Sequence, residues 1–128
     1  MGLLDIFFRR KPPVRDRAEL AEFIDGNAAF LVQKGLYEFA RARAGYYAKV
    51  LFAEQGFRDA VEDSRWRAFP QGLAMVTEVV EGILRPHAAD RAAQQRALCD
   101  LALGIFDRYP VPPRLGATEW REARATLD

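Results

Sequence analysis

The sequence predicts an all-α protein: an irregular bundle of four to five helices, preceded by a short amphipathic N-terminal segment. Three observations support this prediction. Over long stretches the apolar residues recur at alternating spacings of three and four, which is the period of a helix. No stretch alternates apolar and polar residues over more than a few positions, as a half-buried strand would. Proline and glycine residues stand where the periodic stretches end.

The composition is that of a single globular domain. Half of the 128 residues are hydrophobic and 29 % are charged, a balance typical of folded rather than disordered chains. A chain of this length can bury roughly two-thirds of its surface on folding, so its core needs no disulfide or metal. We therefore predict one helical domain over residues 14–128 and an amphipathic, basic tether over residues 1–13.

The first long helix is predicted from about Asp16 to about Ala44, where Gly45 can end it. Asp25-Gly26-Asn27 is the alternative, a turn that would split this helix. One seam contains small residues seven positions apart, which let another helix approach closely: Ala21, Ala28, Gly35 and Ala42. A second row lies about 200° around the helix: Phe23, Phe30 and Tyr37. So wide an apolar surface predicts a central helix that is covered from two sides.

The clearest apolar stripe belongs to a second long helix, predicted over about residues 57–84. The stripe consists of Trp66, Phe69, Leu73, Val76, Val80 and Ile83. Its phase is kept across Pro70, which favours one helix kinked at this proline. The alternative is a short helix that ends near residue 68 and a new one that starts at Pro70. Residues 46–54 form a short helix of their own or continue the first one.

Two further helices complete the predicted bundle. The third long helix covers about residues 88–108, and its apolar face consists of Leu98, Leu101, Ala102, Ile105 and Tyr109. Residues 109–113 contain three prolines and are predicted to be extended. Thr118 is expected to cap a short last helix over residues 119–127, which contains Trp120.

The residues of nucleophilic catalysis are present but poorly placed. Ser64 is the only serine, and no glycine flanks it to form the sharp turn on which hydrolases present their nucleophile. His87, the only histidine, is 23 positions away, at the other end of the predicted helix. Cys99 adjoins an apolar face and is interpreted as a buried, inert thiol. We therefore predict no catalytic residues.

Metal and nucleotide sites are not predicted either. One histidine and one cysteine cannot complete a structural zinc site, and no Glu-x-x-His pair of a di-iron bundle occurs. Glu78 and Glu81 are expected to face solvent, with Glu81 reaching Arg85 one turn later. Asp63 is expected to pair with Arg67 by the same spacing. Neither glycine-rich phosphate-binding motif is present, so no cofactor is predicted.

A proline inside a helix removes one backbone donor and can open a small pocket. Here the carbonyl of Trp66 would lose its partner, and Gly72 lies nearby. The predicted lining consists of Trp66, Phe69, Pro70 and Leu73. Such a pocket would make the protein a binder of small apolar ligands or a weak, esterase-like hydrolase. The other interpretation of the same residues is a kink that serves packing alone.

The N-terminal segment provides the main functional prediction. Its apolar residues are Leu3, Leu4, Ile6, Phe7 and Phe8, and a basic run follows at once: Arg9, Arg10 and Lys11. Short amphipathic helices attach to anionic membranes by inserting apolar side chains while neighbouring basic side chains contact the lipid headgroups. The alternative is that the segment folds back onto its own bundle. We predict a non-enzymatic helical interaction protein that docks through residues 3–11 on a membrane or a protein partner, or self-associates.

Charge, cysteine content and hydropathy limit which partners and which cellular location are expected. A net charge of +1 argues against a nucleic-acid partner. A single cysteine excludes an intrachain disulfide and is compatible with a reducing compartment. No apolar run approaches the roughly 20 residues of a membrane span, and the pattern of a secretory signal is missing. We expect a cytoplasmic protein, peripheral on the inner membrane face if it docks there.

Two segments carry a resemblance to a family. NAAFLVQKGLYEFARARAG (27–45) and FDRYPVPP (106–113) resemble segments of small, uncharacterised, all-helical proteins from bacteria. The resemblance extends over most of the chain and implies an all-helical fold of bacterial origin. Some proteins of this kind bear an esterase label, although the two segments contain no catalytic motif.

Overall fold

The structure, a computed structural model, describes residues 14–127. The predicted tether over residues 1–13 lies outside this range. Within residues 14–127 five α-helices follow one another: α1 Arg17–Ala44, α2 Ala48–Ala53, α3 Gln55–Leu84, α4 Arg91–Asp107 and α5 Ala117–Ala125. Short 3-10 turns, Gly45–Tyr47 and Arg85–His87, precede α2 and follow α3. No strand occurs within the described range, so the predicted all-α fold is confirmed.

The two ends of α1 are where the sequence places them. The Asp16 carboxylate caps the helix by accepting a hydrogen bond of 2.8 Å from the backbone N–H of Glu19. Gly45 ends the helix with φ 57°, a conformation that glycine adopts without steric cost. The alternative turn at residues 25–27 does not form. Instead Asn27 donates its side-chain amide to the carbonyl of Phe23, 2.7 Å away, and the helix continues.

Of the two predicted apolar rows of α1, only the first half of the small-residue row is buried. The buried residues of α1 are Ala21, Ile24, Ala28 and Val32, and Val32 lies outside the predicted row. The second row of Phe23, Phe30 and Tyr37 is exposed, with Phe30 at 64 %. The prediction that other helices cover α1 from two sides was therefore wrong for residues 14–127. The apolar stripes of α3 and α4 meet the first seam, whereas the second row has only a partial contact with α2, where the Tyr37 ring lies 5.1 Å from that of Phe52.

The long helix α3 passes through Pro70 without a break, as the preferred interpretation predicts. Phe69, Leu73 and Val80 are buried, whereas Ile83 at the end of the stripe is exposed. α1 and α3 lie antiparallel: Gly72 packs against Ala28 and Val32, and the start of α1 lines the same groove as the end of α3. A Cβ atom at Gly72 would lie 3.5 Å from the carbonyl oxygen of Ala28 and would overlap Val32 Cγ2. The closest approach therefore involves only half of the predicted small-residue seam, since Gly35 and Ala42 are exposed.

α4 and α5 close the other side of the core. Asp90 caps α4 by accepting a hydrogen bond of 3.1 Å from the N–H of Ala93. The predicted face of α4 is buried together with Phe106: Leu98, Leu101, Ala102 and Ile105. Trp120 of α5 stacks on Phe106 with ring centroids 4.3 Å apart. The expected Thr118 cap is wrong, because α5 begins earlier, after Gly116, and has no side-chain cap.

Candidate functional site

The structure does not bring the residues of nucleophilic catalysis together. Ser64 is half-buried in the first half of α3, and His87 is exposed beyond the end of that helix. The helix between Ser64 and Leu84 alone is about 30 Å long at 1.5 Å per residue. Cys99 is half-buried on α4, and its thiol donates a hydrogen bond of 3.1 Å to the carbonyl of Leu127. Within residues 14–127 no three His, Cys, Asp or Glu side chains are grouped to hold a metal ion.

Three of the four residues of the predicted pocket pack in the same core cluster: Phe69, Leu73 and, at its edge, Trp66. Phe69, Pro70 and Leu73 are buried, and Trp66 is half-buried beside them. The Trp66 ring contacts the rings of Tyr109 at 5.8 Å and Trp120 at 6.1 Å between centroids. Side chains from three parts of the chain thus pack around Trp66. A ligand site at this place stays a prediction.

Tyr109 ties the end of α4 to α1. Its hydroxyl donates a hydrogen bond of 2.5 Å to Asp25 Oδ1, and its ring lies 4.8 Å from that of Phe69. Burial raises the pKa of Tyr109 to about 12, and the hydrogen bond and negative charge of Asp25 add to this effect. The sequence placed Tyr109 on the apolar face of the third long helix but gave no indication of a polar partner.

This contact makes stability depend on alkaline pH. Because the folded pKa of Tyr109 lies above its ordinary value of 10.0, the stabilisation is complete below about pH 10. It is lost as pH rises toward about 12. The difference in tyrosinate absorbance between the wild type and Tyr109→Phe should show a transition near pH 12. In Asp25→Asn the pKa of Tyr109 should move toward its ordinary value of 10.0 but stay above that value, since the ring is still buried. A transition at the ordinary value in the wild type would contradict this arrangement.

The arginines form pairs that sequence spacing predicts only in part. Glu81 and Arg85 pair as expected, at 2.5 Å, and the hydrogen bond from Arg85 lowers the pKa of Glu81. The expected pair of Asp63 with Arg67 does not form. Asp63 instead accepts a hydrogen bond of 2.7 Å from Arg114, and Arg67 bonds Glu119 of α5 at 2.9 Å. These pairs join segments about 50 residues apart in sequence, which local spacing cannot reveal.

A groove of about 550 Å³ opens at the end of the bundle where α1 begins and α3 ends. Its walls are mostly apolar and come from three helices: Leu20 and Phe23 of α1, Val80, Ile83 and Leu84 of α3, and Leu98 of α4. Ile83 and Phe23 are exposed because both side chains line this open groove. The volume lies within the range of sites that bind small molecules or side chains of a partner.

The groove contains one polar atom that lacks a partner. The Oε1 atom of Gln94 is buried and accepts no hydrogen bond from any residue of the described range. A buried acceptor without a donor costs free energy, about 1–3 kcal/mol in typical cases. The lining of the groove is therefore mostly apolar, and its Gln94 side chain has a buried oxygen without a hydrogen-bond donor.

The groove begins where the predicted docking segment joins the domain. Val14, the first described residue, lies at the groove together with Arg15 and Asp16. Phe8 is six residues before Val14, which an extended chain spans in about 20 Å at most. Residues 3–11, the predicted docking segment, lie outside the described range. In residues 14–127 no helix has both the length and the hydropathy to cross a bilayer.

The fold and these surfaces define an all-α helical-bundle protein with an open apolar groove at one end. The chain matches no protein-family model, no curated protein and no solved structure. The function must therefore be argued from the site itself.

Sequence analysis missed the groove, although one signal for it was present. Ile83 extends the apolar stripe of α3 past its last buried residue, Val80, and Phe23 belongs to the exposed row of α1. An apolar row that has no matching row elsewhere in the chain indicates an exposed surface as readily as a second core contact. The position of the groove also depends on how α4 meets α1 and α3, which periodicity does not specify.

Proposed function

We propose that the protein is a non-enzymatic helical interaction protein that attaches to an anionic membrane surface through residues 3–11. The observation that supports this proposal is the open apolar groove beginning at Val14, immediately after the segment. Apolar side chains of the segment and of the groove would then form one continuous surface. The basic run Arg9 to Lys11 adds attraction to acidic lipid headgroups.

The alternative function has less support. Binding of an apolar ligand or ester hydrolysis beside Pro70 requires free space next to Trp66. The rings of Tyr109 and Trp120 pack there, and Phe69 is buried. Hydrolysis through Ser64 also lacks a base, since His87 lies at the far end of α3.

The double substitution Phe7→Asp/Phe8→Asp, made in the full chain, tests whether residues 3–11 attach the protein to a membrane. Burial of one phenylalanine side chain contributes about 1.5–3 kcal/mol, so the loss of two should weaken binding at least about 100-fold. Co-sedimentation with vesicles of phosphatidylcholine and phosphatidylglycerol measures this change. Met75→Asp/Val111→Asp is the matched control, because both side chains are exposed and the charge change is the same.

Other outcomes would contradict the proposal. Equal pelleting of the two variants, or no pelleting of the wild type, would remove the membrane attachment and favour a protein partner. A lower melting temperature of Phe7→Asp/Phe8→Asp with unchanged pelleting would indicate that the segment packs onto its own bundle.

A further inference from the structure

The far end of the α1–α3 hairpin is a surface of its own, distinct from the groove. We define the hairpin tip as residues 34–58, which comprise the last part of α1, the turn Gly45–Tyr47, α2 and the first residues of α3. No residue of the tip is buried. The buried residues of α1 end at Val32 and those of α3 begin at Phe69. The tip therefore extends beyond the hydrophobic core.

Large apolar and aromatic side chains cover this tip. Tyr46 is 95 % exposed, so its ring is almost entirely in solvent. Four further large side chains of the tip are exposed: Tyr37, Phe39, Tyr47 and Val50. An isolated exposed ring is ordinary on a protein surface, but a group of this size marks an interaction surface.

The tip is also positively charged. It contains five basic and two acidic residues, for a net charge of +3. The other described residues, 14–33 and 59–127, contain 11 basic and 14 acidic residues. The net charge of the tip is therefore opposite in sign to that of the other described residues taken together, and this charge attracts the tip to an anionic surface.

Aromatic and basic groups meet in one concavity of about 720 Å³ at the tip. Tyr37, Arg41, Tyr46 and Lys49 line it together, and no carboxylate belongs to the lining. Within the described residues neither Arg41 nor Lys49 forms an ion pair. Two cations without counter-charges beside tyrosine rings suit a phosphate headgroup and the adjoining acyl chains.

The arrangement of the side chains distinguishes a membrane from a protein partner. Tyr37 and Phe39 are two residues apart on α1, so they point about 200° apart around the helix. Both are nevertheless exposed, Tyr37 at 48 % beside the Phe52 ring and Phe39 at 63 %. A protein docked on one side of the hairpin would cover only one of them. A bilayer surrounds a tip that enters its interfacial layer, where tyrosine rings and basic side chains are preferred.

From these observations we infer that the hairpin tip inserts into the interfacial layer of an anionic membrane, with Arg41 and Lys49 binding lipid phosphates. This inference extends the proposed membrane attachment to a second site and does not depend on residues 3–11. The occupant is the lipid surface, and a second copy of the chain is an outcome that the test must distinguish.

The charge part of the inference is tested with Arg41→Gln/Lys49→Gln in the full chain. A cation near an anionic leaflet strengthens binding roughly fivefold, so the pair should lower the vesicle affinity about 30-fold. Arg96→Gln/Arg121→Gln is the matched control, since both side chains are exposed, lie outside the tip and carry the same charge. The control should retain most of the affinity. Circular dichroism and the melting temperature establish that each variant folds.

The insertion part is tested with an added indole. Brominated phospholipids quench tryptophans that enter the bilayer, and Trp66 and Trp120 provide a constant background. Tyr46→Trp should show stronger quenching than the wild type, and Val111→Trp, on an exposed loop, should not. Tyr46→Ser/Tyr47→Ser should weaken vesicle binding even though its cations are intact.

The outcomes separate this inference from the proposed function. If the tip variants bind like the wild type while Phe7→Asp/Phe8→Asp loses binding, the tip inference is overturned and the proposed function stands. If only the tip variants lose binding, the tip is supported and residues 3–11 are not the attachment. Tip variants that convert a dimer to a monomer in sedimentation, with vesicle binding unchanged, would assign the tip to self-association and overturn the inference.

Discussion

Leu73→Ala is expected to lower the free energy of unfolding by about 2–5 kcal/mol. Leu73 has no solvent exposure and belongs to the cluster that joins α1, α3, α4 and α5. Truncation removes apolar contacts and leaves a cavity that helices held on several sides cannot close fully. A domain of this size has a total stability of about 5–15 kcal/mol, so the loss should be visible in any unfolding experiment.

Urea unfolding followed by circular dichroism measures this change. The matched control is Val79→Ala, a truncation on the same helix at a side chain that is 62 % exposed. It should change the stability by no more than about 0.5 kcal/mol. Similar losses for the two variants would mean that the helix presents a different face to the core, and the assignment of the core would fail.

Gly72→Ala is expected to destabilise the protein by about 1–3 kcal/mol, although alanine is the better helix former. The added Cβ would overlap the Cγ2 methyl of Val32 at the closest approach of α1 and α3. Separating two long helices weakens many contacts along them. The gain of about 0.5–1 kcal/mol from replacing glycine within a helix offsets only part of this loss.

Gly82→Ala is the control for Gly72→Ala. Both glycines lie in α3, but no atom is within 4 Å of a Cβ at Gly82. This substitution should therefore stabilise the protein by about 0.5–1 kcal/mol, the opposite sign. A double-mutant cycle with Val32→Ala isolates the contact, because Gly72→Ala should cost much less once the Val32 methyls are gone. A cost that is unchanged in that background would refute the close approach.

Helix positions followed from local rules. Asp16 and Gly45 bracket α1 because capping and the left-handed conformation depend on residues next to one another. The stripe through Leu73 predicted a continuous α3 across Pro70, and the structure agrees. The beginning of α5 is less well specified, because Gly116 rather than Thr118 precedes the helix and no side chain caps it.

The contacts between helices did not follow from such rules. Asp63 has an arginine one helical turn away, yet it pairs with Arg114 from a distant loop. Phe30 resembles a core residue in sequence, yet it is exposed. The exposure of the aromatic residues at the hairpin tip and the formation of the apolar groove likewise depend on how α1, α3 and α4 pack against one another.

By itself, the sequence determined the helical class, the approximate bounds of the long helices and the stripe on α3 that enters the core. Only the tertiary structure decided which apolar row of α1 is covered, where Gly72 meets its neighbour and which surfaces remain open. The physical reason is that helical periodicity and capping depend on residues within one or two turns. Burial of an apolar row requires a partner surface of matching length and position, and distant segments of the chain provide that partner.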